Sequence, residues 1–117
     1  MLKNGPYLYG NSTQVKEIRT TGHNIHNKEL SSLLIGRPGG QTTIRILDEI
    51  LIRPQNAHQL AKQLHLDYKT IRYHMRILCN HQFAVKEKFE KYTYYYPSDK
   101  LIKLLDEYNY IKEQKNQ

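Results

Sequence analysis

Cysteine is nearly missing from the sequence: Cys79 stands alone among 117 residues. One thiol excludes an intrachain disulfide and any zinc cluster built on cysteines. Long apolar runs are missing too. Nothing approaches the roughly 20 residues needed to span a bilayer, and the opening MLKNGPYLYGNSTQ lacks the apolar centre of a secretion signal. The expectation is a soluble, cytoplasmic protein with no membrane partner. No glycine-rich phosphate loop and no nucleophile motif occurs; RPGG is too short for a Walker sequence and reads as a linker. The six histidines do not supply ligand spacing. His58 and His65 lie seven apart, as do His74 and His81, whereas ligands on one helix face need i, i+4. A non-enzyme without metal or cofactor is expected. Acidic residues are also short, 11 against 18 Lys and Arg, leaving a net charge of +7 and a pI of about 9.5. That balance favours an anionic partner, nucleic acid before an acidic membrane surface.

What remains divides into three stretches. Residues 1–40 hold all six glycines and little periodicity. Only NKELSSLLIG is helical in pattern, with Leu30, Leu33 and Leu34 on one side and Asn27 as its cap. This stretch reads as a partly mobile extension with one short docked helix, ended by GRPGG. Residues 41–97 are strongly patterned. TTIRILDEILIRP places Ile44, Leu47, Ile50 and Leu51 on one helical face, with Thr42 or Thr43 as cap and Pro54 past the end. NAHQLAKQLHL follows with Asn56 as cap, then LDYKTIRYHMRIL with Asp67 as cap and Ile71, Met75 and Leu78 at helical spacing. FAVKEKF and YTYYY then alternate around Glu90-Lys91, which suggests a hairpin. Residues 98–117 form a last amphipathic helix capped by Ser98.

The two helices around His65–Asp67 are joined by about three residues and must cross steeply. Ala61 permits close approach, Ile71 packs into the gap and Leu66 plugs the turn. Here the sequence resembles the winged helix-turn-helix domains of ArsR-type repressors and related archaeal transcriptional regulators, over Thr42 to Pro97. IRILDEIL, NAHQLAKQLHLDYKTIRYHMRIL and the FAVKEKF…YTYYYP hairpin carry the likeness. Leu60-Ala61 stands where the family has a Leu-Ala pair, LHLD where it has Leu-Gly-Leu-Ser, and His74-Met75 where it has His-Leu. His65 departs from the family glycine, at a position that often needs positive φ, which His tolerates better than most residues. The paired cysteines of metal-sensing members are missing. The resemblance implies a mainly α fold with a small β-hairpin wing (α+β): a three-helical bundle plus a C-terminal helix.

It also implies a sequence-specific regulator of double-stranded DNA. Helix 68–80 would enter the major groove, N-terminal end first. Its outward residues are Tyr68, Lys69, Thr70, Arg72, Tyr73 and Arg76; arginine can bridge the two acceptors of guanine. Asn56, His58 and Gln59 open the preceding helix toward phosphate, although Asn56 also serves as a plain cap. Lys86, Lys88 and Lys91 lie on the wing, residues 84–96, against the backbone or minor groove, or else guard an exposed sheet edge. The tyrosines Tyr92, Tyr94, Tyr95 and Tyr96 read as hairpin packing ahead of base stacking. From Asp67 to Lys91 the basic excess is only three, so a homodimer is expected to be needed for useful affinity. Its seam would be Leu101, Leu104, Leu105, Tyr108 and Ile111, unless that stripe covers the chain's own domain. Two rivals stay open: a winged-helix protein-interaction module in a transcription or replication assembly, and a non-specific architectural DNA binder.

Overall fold

The computed structural model describes residues 27–115. In chain order it holds α1 (Lys28–Ile35), α2 (Gly40–Ile52), β1 (Gln55–Asn56), α3 (Ala57–Leu64), α4 (Tyr68–Asn80), β2 (Ala84–Phe89), β3 (Tyr92–Pro97), α5 (Asp99–Lys103) and α6 (Leu105–Lys115). The fold is mainly helical with one small antiparallel sheet, in the order β1-β3-β2. The part of the extension that precedes residue 27 lies outside the described residues.

One apolar core joins every helix among the described residues. Leu30, Leu33 and Leu34 of α1 are buried with Ile44, Leu47 and Ile50 of α2, Leu60 of α3, Ile71, Met75 and Leu78 of α4, and Phe83. Asn27 caps α1 by accepting the Leu30 N–H at 3.0 Å. An ionic cluster then fixes α1 from outside. Glu29 takes His81 Nδ1 at 2.7 Å and Lys100 Nζ at 2.8 Å, bridging the ends of three helices.

The GRPGG stretch is not a slack linker. Helix α2 starts at Gly40, two residues before the expected threonine caps, and its N-cap Gly39 makes no side-chain cap bond. The reason is close packing. A Cβ on Gly40 would lie 2.0 Å from the Leu34 carbonyl oxygen, a backbone atom that cannot step aside. Thr43 is engaged elsewhere: its hydroxyl binds Gly39 O, Arg37 and His74.

Strand β1 was not legible as a strand. Its two residues pair with the centre of β3, Gln55 opposite Tyr95 and Asn56 opposite Tyr94. The hairpin itself has the expected turn at Glu90-Lys91, with Glu90 at φ 59°. Its faces are less ordinary. Opposed residues in an antiparallel pair share a face, so Val85, Glu87 and Phe89 lie with Tyr96, Tyr94 and Tyr92, while Lys86 and Lys88 lie with Tyr95 and Thr93. Tyr95 is buried, yet Phe89 is 65% exposed. The lysine side of β2, not the apolar side, shares the face that closes on the body.

The final helix is two helices. Leu104 leaves helical geometry (φ −105°, ψ 16°), and its N–H turns to Leu101 O and Ile102 O. Leu101, Tyr108 and Ile111 are buried in the chain's own core, with Leu104 and Leu105 half-buried against it. This corrects the expectation of a dimer seam for those three side chains. An apolar stripe finds the nearest apolar surface, and here α1 and α2 supply it. No described helix is long and apolar enough to cross a membrane.

Candidate nucleic-acid interface

Helices α3 and α4 meet through a turn that the sequence sets residue by residue. His65 ends α3 in the left-handed region (φ 58°, ψ 45°), the conformation for which glycine is the usual choice. Leu66 N–H donates back to Ala61 O at 3.0 Å. Asp67 then opens α4 by accepting the Thr70 N–H at 2.7 Å. That bond, chiefly, and the Thr70 hydroxyl hold the Asp67 carboxyl below the ordinary carboxylate value.

The two sides of α4 separate cleanly. Ile71, His74, Met75 and Leu78 are buried. Tyr68, Lys69, Arg72, Tyr73 and Arg76 are exposed, Tyr73 by 51%, and Thr70 is half-buried. The exposed set combines three cations with two phenols along one solvent-facing strip, suited to phosphate and base-edge acceptors.

The opening of α3 divides the residues expected there. Asn56 and Gln59 form a reciprocal capping box: Asn56 Oδ1 accepts the Gln59 N–H at 2.8 Å, and Gln59 Oε1 accepts the Asn56 N–H at 2.9 Å. Asn56 is 7% exposed, so its side chain serves the helix. His58 is exposed and stacks on Tyr68 at 4.4 Å between ring centroids. Tyr68 in turn accepts Arg72 Nη1 at 3.1 Å, with the guanidinium 5.7 Å from its ring centre. The structure thus brings His58, Tyr68 and Arg72 together.

On the wing, Lys86, Lys88 and Lys91 are all exposed, Lys91 over the Tyr92 ring at 5.9 Å. Lys86 lies near the C-terminal part of α4. Burial pushes the Cys79 thiol up, and the Lys86 charge partly opposes it. Among the described residues no group of three His, Cys, Asp or Glu is placed to hold a metal ion.

Behind α4 sits a polar cluster centred on Thr43. His74, buried on the inward side of α4, meets Thr43 Oγ1 at 3.3 Å from Nδ1. Arg37 donates to the same oxygen at 2.6 Å, and Thr43 reaches Gly39 O at 3.1 Å. One arrangement satisfies all three: the hydroxyl donates to Gly39 and accepts from Arg37 and from a protonated Nδ1 of neutral His74. Burial, then the Arg37 charge, lowers the His74 pKa below its ordinary 6.5. The unfolded chain therefore takes up a proton that the folded chain refuses. Stability is full above about pH 6.5 and falls as pH drops through that value toward the folded pKa. Urea midpoints should decline across this window, and His74→Gln should flatten the decline; an unchanged slope would remove His74 as its source.

No protein-family model and no curated protein matches the sequence. Solved structures do match. The chain is similar to reduced HlyU from Vibrio cholerae N16961, at 14% identity and a TM-score of 0.52, over 79% of this chain and 94% of that one. It is similar to NolR from Sinorhizobium fredii, at 17% identity and a TM-score of 0.53, over 83% and 91%. It is similar to the transcriptional regulator SlyA, at 16% identity and a TM-score of 0.57, over 87% and 70%. At these identities the likeness is one of architecture, and with the turn, the outward face of α4 and the hairpin described above it gives the chain the winged-helix fold.

Proposed function

We propose that the chain is a sequence-specific regulator that binds double-stranded DNA, ArsR-like in kind and working in the cytoplasm. Helix α4 is its recognition helix and the β2–β3 wing lies on the backbone or in the minor groove. The observation that carries this reading is the outward strip of α4. Three cations and two phenols stand in solvent on a helix whose opposite face is locked into the core. A structural neighbour described as a transcriptional regulator shares the fold. Lys69, Arg72, Tyr73 and Arg76 are assigned to the groove with Tyr68 and Thr70. Lys86, Lys88 and Lys91 are assigned to backbone contacts, along with His58 and the exposed Gln59.

The chain acts as a homodimer in this reading, because three net charges in one reading unit give weak phosphate attraction. Two copies would predict half-sites about one helical turn apart. The paired surface must then use side chains other than the inward Leu101, Tyr108 and Ile111.

Selection from a random duplex pool, followed by salt titration on the selected and the random duplexes, tests the reading. A selected duplex should bind about a thousandfold or more tighter than random DNA. Equal affinity would make the chain an architectural binder. No binding even at low salt would favour the protein-interaction module.

A further inference from the structure

In sequence His58 belongs with the residues that open α3 toward phosphate. The structure gives its ring another partner. His58 stands between the two members of the capping box, Asn56 and Gln59, so the backbone on either side of it is fixed. Tyr68 is the first residue of α4, directly after its cap Asp67. The two rings thus come from the starts of two different helices. They stack, with 4.4 Å between centroids and 22° between planes. One turn further along α4, Arg72 Nη1 donates to the Tyr68 hydroxyl at 3.1 Å.

We propose that His58 is a positioning residue for Arg72: its ring braces Tyr68, and Tyr68 holds the guanidinium in the pose that meets DNA. The inference rests on the DNA-binding reading above and gives His58 a task beyond the backbone contact assigned there. The bond between Tyr68 and Arg72 is by itself a weak hold. Both side chains are exposed and lie four residues apart on one helix, and such a pair contributes little to its own rigidity. A phenol free to change rotamer would carry the arginine with it. The His58 ring is held by the other helix and lies against a face of the phenol, which opposes that change.

What the brace preserves is a set of donors. The Tyr68 oxygen accepts from Arg72 and keeps its own O–H to donate; the guanidinium has five N–H donors and has spent one on Tyr68. Together they offer a phenol donor beside an arginine fork, suited to the acceptors of a base edge. A fork fixed beforehand loses less rotamer freedom on binding. The crossing of α3 and α4 thereby sets where the fork points.

The two tasks of His58 use different parts of its ring. A phosphate takes the N–H edge, and a stack takes the face. His58→Phe keeps the face and has no N–H, whereas His58→Ala loses both. Two measurements on the full chain follow. In the free protein, the Arg72 Nε–Hε resonance, identified by its loss in Arg72→Lys, should show slower side-chain motion by nitrogen relaxation than that of Arg76 on the same strip. His58→Ala and Tyr68→Phe should each release it, and His58→Phe should not. On DNA, the readout is the ratio of affinities for the selected and random duplexes. His58→Ala should lower that ratio about two- to tenfold, the worth of one stacked aromatic pair. His58→Phe should keep the ratio, whatever uniform loss a missing phosphate contact brings. In an Arg72→Ala background His58→Ala should not lower the ratio further.

An Arg72 as mobile as Arg76 in the native free protein overturns the proposal whatever the DNA result. So does an unchanged ratio in His58→Ala, or a further fall in the Arg72→Ala background. A ratio that falls as far in His58→Phe as in His58→Ala also overturns it, because the ring face is then not what matters. A restricted Arg72 in a protein that binds no DNA overturns the positioning role through failure of the DNA reading, and the relaxation result distinguishes that case from the others.

Discussion

Tyr108→Ala should destabilise the protein by about 3–5 kcal/mol, the range for truncating a large buried aromatic side chain. Tyr108 is fully buried on α6. Its hydroxyl donates toward Asp48 Oδ1 at 2.7 Å and Ile44 O at 3.2 Å, both on α2. Lys112 reaches the same Asp48 oxygen at 3.0 Å and sits 5.3 Å from the Tyr108 ring centre. Burial first, then the Asp48 bond, pushes the phenol far above its ordinary range, so the proton stays on the oxygen at any working pH. Loss of the ring leaves a cavity between α2 and α6. Set against a whole-domain stability of about 5–15 kcal/mol, that is a large share. Tyr108→Phe removes only the hydroxyl and should cost about 0.5–1.5 kcal/mol, since Asp48 keeps Lys112 and is open to water. Urea unfolding of the three proteins orders them. An alanine variant within about 1 kcal/mol of the parent would mean that α6 is not docked as described.

Arg72→Ala is expected to weaken binding to a selected duplex by about 1–3 kcal/mol, the worth of a bidentate arginine–guanine contact. Random DNA should lose much less. The exposed guanidinium stands midway along the outward strip and is already held by Tyr68. Arg72→Lys should not restore discrimination, because an ammonium cannot present the parallel donors of the fork. Equal losses on selected and random duplexes would reassign Arg72 to a phosphate.

Much of the fold could be read from spacing alone. Asn56 and Asp67 cap where expected because short polar side chains ahead of an apolar period have few other uses. Ile71, Met75 and Leu78 face inward as their spacing required. His65 takes the positive φ that its place in the turn demands, despite not being glycine. Other features had no local signal. Two residues, Gln55 and Asn56, carry no alternation, and only their distant partner Tyr95 makes them a strand. Gly40 looked like flexibility and is instead a contact, because a glycine gives no sign of what it touches. The last apolar stripe announced burial, not its partner.

At the candidate site the division is similar. The outward residues of α4 followed from helical phase, once the inward ones were set. That the side-chain oxygens of Asn56 and Gln59 accept each other's backbone N–H followed from the spacing of a capping box, which could have been noticed. The approach of His58 to Tyr68 could not, since it depends on the crossing of two helices. Nor could the closing face of the wing, since alternation separates Val85 and Phe89 from Lys86 and Lys88 without saying which side meets the body, and the buried residue is Tyr95, on the lysine side.

Burial of Tyr108 and Ile111 beside Leu30 and Ile44 has a consequence for biosynthesis. A ribosome that has released α1 through α4 has produced the whole helix-turn-helix, but not the side chains that cover its core. Strand β3 is also still to come, so Gln55 and Asn56 have no partner. The reading head is made early, and its support arrives only with the last two helices. Such a nascent chain must wait with apolar surface uncovered, and a message cut short before Tyr108 would yield a product fit for proteolysis, not for regulation.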